Sequence, residues 1–223
     1  MVKHFCLTVF GLVVVAGTAA ADEALAQAMA RAEKAAGKLR RDSTTGDFEH
    51  LFLDSPKATD EDLAAVVDAL KQVKPESKVA MRQVFLGPAH TDAALKKVAE
   101  LKALGFLCIR RSKMTDKELA ELKPLTNLAT LRANDTAITD EGLKHLGEVR
   151  GLQQLFLDGT QITDEGLKHL AKLGLVILSV KGTKVSEAGA RSLKGTRWIG
   201  SRRPPPAPGG CRGLARRGAT RRP

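Results

Sequence analysis

The chain of 223 residues has no tyrosine, one tryptophan and seven phenylalanines, so aromatic residues make up only 4% of it. That scarcity argues against a nucleic-acid module built on stacking aromatics. Cysteine is equally sparse, with three residues at positions 6, 108 and 211. Cys6 falls in an N-terminal leader, Cys108 in an apolar strand-like run and Cys211 near the end of the chain. They form no disulfide framework, so the body is held by its core. Acidic residues stop at Glu187, and eight arginines follow from Arg197 onward. Of the formal charge of +11, that segment carries eight, leaving +3 for residues 1–195. A net charge of this size invites a nucleic-acid reading, but it belongs to a tail, not to the body. Long apolar runs are also missing. The run from Phe5 to Ala16 is shorter than the ~20 residues a membrane-spanning helix needs.

What is present begins with targeting. A short basic start, Met1-Val2-Lys3-His4, precedes that apolar run, and Gly17-Thr18-Ala19-Ala20-Ala21 closes it with small residues. The order matches a secretory signal cleaved near Ala21, with Asp22 as the first mature residue. The expectation is export to a periplasmic or extracellular location, with a retained anchor as the alternative. The rest, 43% apolar and 27% charged, has the composition of a soluble globular protein long enough to bury a core.

The dominant signal is internal repetition. Leu155-Phe156-Leu157-Asp158-Gly159-Thr160-Gln161-Ile162-Thr163-Asp164-Glu165-Gly166-Leu167-Lys168-His169-Leu170 is matched closely by Leu131 to Leu146 and more loosely elsewhere. Anchors at Leu51, Val84, Leu107, Leu131, Leu155 and Leu178 mark six units of 23 or 24 residues. The first unit is lengthened by an insertion around Lys74-Pro75-Glu76-Ser77. Within a unit, alternation such as Leu155/Leu157 predicts a short strand with Phe156 on its other face. A Thr-Asp or Ser-Glu step then predicts a helix start, with Thr139, Thr163 and Ser186 as caps and Thr115 with Glu118 at capping-box spacing. Leu119/Leu122, Leu143/Leu146 and Leu167/Leu170 supply the buried stripe of each helix. No unit can bury its apolar face alone, so the units must stack.

The pattern Leu152-x-x-Leu155-x-Leu157-x-x-Thr160 resembles the leucine-rich repeat family over residues 48–195. Its Ile-Thr-Asp-x-Gly-Leu half is similar to the ribonuclease-inhibitor-like and F-box-associated subtype also found in exported bacterial proteins. The family Asn position is Ser112, Thr136, Thr160 and Thr183 here, which suggests a hydroxyl ladder bonding the neighbouring coil's backbone. The resemblance implies an α/β fold: an open right-handed solenoid of about six strand-turn-helix units. The expected organisation is a signal peptide (1–21), an N-terminal helical cap (22–47, with the helix running Asp22 to Arg41), the repeat domain (48–195) and a disordered Arg/Pro/Gly-rich tail (196–223). Trp198 and Ile199 are candidates to plug the open end of the core.

No residue pattern calls for catalysis. There is no nucleophile elbow and no glycine-rich phosphate loop. His50 and Asp54 share a strand face but lie about 13 Å apart at strand rise, too far for a base and its orienting acid. His145 and His169 occupy equivalent positions in adjacent units, and two histidines alone make a poor metal site. The expectation is a protein that is not an enzyme, with no cofactor and no metal. In the resembled family, the residues beside the inward strand positions form a concave binding surface. Here these are Phe52, Phe85, Cys108, Arg132, Phe156 and Ser179, followed by Asp54, Arg110, Asn134, Asp158 and Lys181. Aromatics interspersed with arginine have the composition of a binding hot spot, so Phe52, Phe85, Arg110, Arg132, Asn134, Phe156, Asp158 and Lys181 are the candidate partner-binding residues. The alternative is that Phe52 and Phe85 are covered by the N-terminal helix or the insertion. The expected role is protein binding on the concave face. An envelope-associating structural protein whose basic tail meets an anionic surface is the second reading, and nucleic acid is the least favoured partner.

Overall fold

The structure, a computed structural model, describes residues 19–34, 37–41, 48–72 and 81–200. The leader before Ala19, the insertion at 74–77 and the tail from residue 201 lie outside the described residues. Among the described residues no helix is long and apolar enough to cross a membrane.

The repeat anchors become the rungs of a ladder. Helix α1 (Ala19–Lys34) and strand β1 (Lys38–Arg41) lead into β2 (Phe48–Leu53), α2 (Asp60–Gln72), β3 (Gln83–Leu86), α3 (Asp92–Val98) and β4 (Phe106–Cys108). A 3-10 segment (Lys117–Leu122) stands where the next helix belongs, followed by β5 (Thr130–Arg132), α4 (Asp140–Leu146), β6 (Gln154–Phe156), α5 (Asp164–Leu167), β7 (Ile177–Ser179), α6 (Glu187–Ser192) and β8 (Arg197–Ile199). The eight strands lie side by side in chain order. From β2 to β8 every pairing is parallel, with Leu51, Val84, Leu107, Leu131, Leu155 and Leu178 each opposite the next. All six are fully buried. The result is an open right-handed α/β solenoid of the leucine-rich-repeat-like kind, its core one continuous cluster from Ala28 to Leu193.

Three local devices give each coil its shape. Past each short strand the ladder continues through Ile109, Ala133, Leu157 and Val180, whose N–H groups donate to Arg132, Phe156, Ser179 and Ile199 carbonyls at 2.8 Å. The chain then turns through a left-handed residue at the same place in four successive coils: Arg111, Asp135, Gly159 and Gly182, with φ of 56°, 57°, 71° and 68°. Finally the Ser112, Thr136, Thr160 and Thr183 hydroxyls each donate to the carbonyl three residues back, at 2.7 Å. This corrects the expected hydroxyl ladder. These side chains close the turn of their own coil and do not reach the next one.

The bond between coils comes from the helix-opening aspartates. Asp92, Asp116, Asp140 and Asp164 each accept the backbone N–H of Thr115, Thr139, Thr163 and Ser186 in the following coil at 2.7–2.8 Å. Their second oxygens take the hydroxyls of the same residues at 2.6–2.8 Å. Asp60 holds Thr91 in the same two-pronged way. The hydroxyl in turn accepts from its own helix, as Thr139 does from Glu141, Thr163 from Glu165 and Ser186 from Gly189, so the expected caps are present and carry a second duty. The clasp also explains the Asp-Glu-Gly motif. A Cβ on Gly142, Gly166 or Gly189 would collide with the carboxylate of Asp116, Asp140 or Asp164 in the preceding coil.

Two coils depart from the glycine pattern, with Ala94 in the coil clasped by Asp60 and Glu118 in the coil clasped by Asp92. Glu118 occupies the position that is glycine in the next three coils, and it faces Asp92. Burial and the Asp92 charge raise its carboxyl above the usual carboxylate range, and its Oε2 is buried with no hydrogen-bond partner. Thr115 and Glu118 therefore do not form a capping box. Asp116 stands at the N-cap without a side-chain cap bond, and the segment winds as a 3-10 turn.

The ends also depart from expectation. The N-terminal helix stops at Lys34, and Lys38–Arg41 pairs antiparallel with β2. Gly37 makes this possible. Its N–H donates to Ala32 O at 2.9 Å, and a Cβ there would meet the Leu53 side chain and the Phe52 carbonyl, a close approach that favours glycine where a helix ends. Helix α1 packs on α2, with Ala28 and Ala32 buried and Arg31 bound to Asp62 at 2.8 Å and Glu61 at 3.0 Å. At the other end, Arg197–Ile199 lies within the segment assigned to the tail yet adds the last strand, and Trp198 takes the rung after Leu178.

Two measurements test this account. Asp140→Ala removes a charge-assisted two-bond clasp and is expected to cost about 2–3 kcal/mol in urea denaturation. Glu118→Gln is expected to raise the melting temperature at pH 7. A folded-state carboxyl held above its unfolded value is destabilising when ionised, so the gain shrinks as pH falls through the Glu titration range.

Candidate functional site

Parallel strands place every second side chain on one face, and the register stacks equivalent positions about 4.8 Å apart. On the solvent side of the sheet, one row runs Phe52, Phe85, Cys108, Arg132, Phe156, Ser179. Beside it runs a second row that includes His50, Gln83, Phe106, Thr130, Gln154 and Ile177. The rows share a single ladder of rings and guanidinium groups. Phe52 and Phe85 stack at 4.5 Å between centroids and 13° between planes. Phe85 meets Phe106 at 5.0 Å and 37°. Arg40 lies 5.5 Å from the Phe52 centroid. Arg132 bridges the far side, 5.5 Å from Phe106 and 4.9 Å from Phe156. His50 closes edge-on against Phe52 at 6.2 Å.

All four phenylalanines are half-buried. Helix α1 does not account for this, since it packs on α2; Phe52 and Phe85 cover each other. The insertion lies outside the described residues. Cys108 is nearly buried between these groups, and its burial pushes the thiol up against the opposing pull of Arg110 and Arg132.

The candidates after the strands divide into two kinds. Arg110, Lys181 and Asp54 are exposed. Asp158 is engaged along the solenoid: its Oδ1 accepts from the Ser179 hydroxyl at 2.6 Å and from Lys181 N–H at 2.7 Å, and its Oδ2 accepts from Asn134 Nδ2 at 3.1 Å. Asn134 and Asp158 thus tie coils together at the edge of the face, and Asn134 Oδ1 is buried without a partner. The structure brings Phe52, Phe85, Arg132 and Phe156 into one ladder, with Arg110 and Lys181 along its border.

Sequence reasoning missed Phe106, which completes the ladder. It precedes the anchor Leu107 and so shares a face with Cys108 under strict strand alternation, which was the available signal. It also missed His90. This residue precedes Thr91-Asp92 as Met114 precedes Thr115-Asp116, and it occupies the inward position of its coil. Fully buried, it has Nδ1 3.0 Å from Asp60 Oδ1 and Nε2 3.1 Å from the Leu53 carbonyl. His145 is half-buried and His169 exposed on successive helical segments, and among the described residues no group of three or more His, Cys, Asp or Glu is placed to hold a metal.

No protein-family model matches the chain, and no curated protein does. Among solved structures, an internalin (inlF) from Listeria monocytogenes str. 4b F2365 is similar with a TM-score of 0.48 and 19% identity, over 62% of this chain. The chain spans 43% of that protein's length. An internalin C2 (inlC2) from the same strain has a TM-score of 0.48 and 19% identity, over 80% of this chain and 92% of its own. The coil geometry of the chain itself, not either likeness, defines the fold as leucine-rich-repeat-like.

The ring ladder has an energetic signature. Phe85 sits between two rings, and each aromatic pair contributes about 0.5–1.5 kcal/mol beyond area burial. Phe85→Leu is therefore expected to lower stability by about 1–2 kcal/mol in chemical denaturation, with the far-UV circular dichroism unchanged.

Proposed function

We propose that this protein is a non-catalytic protein-interaction module, and that its strand face is the recognition surface. The observation that carries this reading is the ladder Arg40, Phe52, Phe85, Phe106, Arg132, Phe156, crossing five coils on one accessible face. A half-buried aromatic ridge edged by Arg110 and Lys181 has the composition of an interface centre with a polar rim. Binding would work by shape and contact, without cofactor or turnover. A partner could dock with little rearrangement, because each ring is already held by its neighbours and loses little side-chain freedom on binding.

The N-terminal leader supports export to the periplasm or the exterior, and the Ile-Thr-Asp-x-Gly-Leu motif supports assignment to the ribonuclease-inhibitor-like or F-box-associated subtype of the repeat. The proposed cleavage point after Ala21 falls in the first turn of α1. The domain limits proposed are 1–21, 22–47, 48–200 and 201–223, with the last strand moved from the tail to the repeat body.

Affinity capture from an envelope extract compares three forms: the full chain, the chain lacking residues 201–223, and the chain with Phe156→Ala and Arg132→Ala. Capture that survives truncation and is lost in the double variant supports the strand face. The reverse pattern supports an envelope-associating protein acting through its tail.

A further inference from the structure

The strand face carries more cations than acids. On the helices and turns many charges pair with one another, as Lys71 does with Glu100, Lys97 with Asp68, Lys123 with Glu148 and Lys144 with Glu141, while others such as Lys96, Lys117 and Lys172 stand apart. Among the described residues no ion pair involves Arg110, Arg132, Lys181 or Arg197. These four cations project from the face or its edge, and each is exposed. Two acids accompany them. Asp54 is exposed, while Asp158 already accepts three hydrogen bonds from within the fold. The face is therefore an aromatic ridge with cations in excess and little internal acid to neutralise them.

We propose that the partner segment received here is an acidic polypeptide stretch carrying apolar side chains. This deepens the binding-face reading and rests on it. Its carboxylates would meet Arg110, Arg132 and Lys181, while its apolar side chains would lie on the Phe106–Arg132–Phe156 part of the ridge. Guanidinium groups suit this role because they bind carboxylates bidentately and lie flat on rings at the same time. The protein's own tail does not fit the face, since its arginines would be repelled.

A single-stranded nucleic acid is also a polyanion with flat apolar groups, but the ring geometry disfavours it. Base stacking needs a free ring face. Here most faces are already occupied: Phe85 lies between Phe52 and Phe106, and Arg132 lies over Phe106 and one face of Phe156, so that only the Phe156 face toward Ser179 has no ring or guanidinium against it, too little for successive bases to stack. What remains for a partner is ring edges, one face of Phe156 and the exposed side of the guanidinium, which suit aliphatic chains and carboxylates.

The test titrates full-length protein with labelled short peptides in a fluorescence anisotropy assay. The probes are a Glu-rich peptide with interspersed Leu and Phe, the same peptide with Lys for Glu, the Glu-rich peptide with Gln for its apolar residues, and a single-stranded oligonucleotide. The expected result is that the acidic apolar peptide binds most tightly. Its affinity should weaken as salt rises and fall by about tenfold or more in Arg110→Glu with Arg132→Glu. Lys181→Glu, which disturbs no ring contact, should weaken it in the same direction, and Phe156→Ala should remove the advantage over the peptide lacking apolar residues. Acidic binding unchanged by these variants would place the interaction on the tail and overturn the proposal. If the basic peptide or the oligonucleotide binds more tightly and depends on Phe156, the acidic partner is wrong while the binding face stands. If no strand-face variant alters the binding of any probe, the proposal and the binding-face reading fall together.

Discussion

The structure depends on a carboxylate reaching across a coil boundary. In each coil the aspartate that opens the helix also grips the threonine or serine at the same place in the next coil, through both its backbone N–H and its hydroxyl. One residue type thus does two jobs. Its charge favours the helix start, and its side chain fixes the neighbouring coil in register. The requirement propagates: the carboxylates of Asp116, Asp140 and Asp164 need space, and the following coils carry Gly142, Gly166 and Gly189 there. Because both partners recur with the repeat, each inner coil receives a clasp from behind and gives one ahead. The coil with Glu118 in place of glycine leaves a buried oxygen without a partner beside a second carboxylate.

Fixing the register on the helical side has a consequence on the strand side. Short strands make few hydrogen bonds each, so their alignment depends on the clasps and the shared leucine core. Once aligned, equivalent positions of successive coils lie one above another, and side chains placed there by separate units become a continuous feature. The Phe52, Phe85, Phe106 stack and its extension through Arg132 to Phe156 is such a feature. A slip of one residue in the coil of Phe52, Phe106 or Phe156 would turn that phenylalanine inward and a leucine outward. The aromatic ridge is therefore as dependent on the aspartate clasp as the core is.

Much of this was legible in the sequence because periodicity encodes it directly. The six anchors are the six core rungs, and the leucine pairs of each helix are buried as their spacing implied. Phe52, Phe85, Arg132 and Phe156 share a face because alternation alone puts them there. The rest depended on contacts between units, which a single repeat does not display. The hydroxyls of Ser112, Thr136, Thr160 and Thr183 had two geometrically sensible acceptors, and only the fold selects the nearer one. The aspartates looked fully explained as helix-opening acids, and their second role appears only when coils are stacked. At the ends, where no neighbour repeats the pattern, helix propensity carried the N-terminal helix past Gly37 into what is a strand, and tail composition hid the strand at Arg197–Ile199. Asp158 was read as a binding residue from its position, yet its hydrogen bonds run along the solenoid.

The most direct measurement of the central claim is hydroxyl-radical side-chain footprinting of the protein with and without a captured partner. Oxidation of Phe106 and Phe156 is predicted to fall on complex formation while the helical residues His145 and His169 keep their free-state reactivity. Protection confined to the helical residues, with the phenylalanine ridge as reactive as before, would contradict the account.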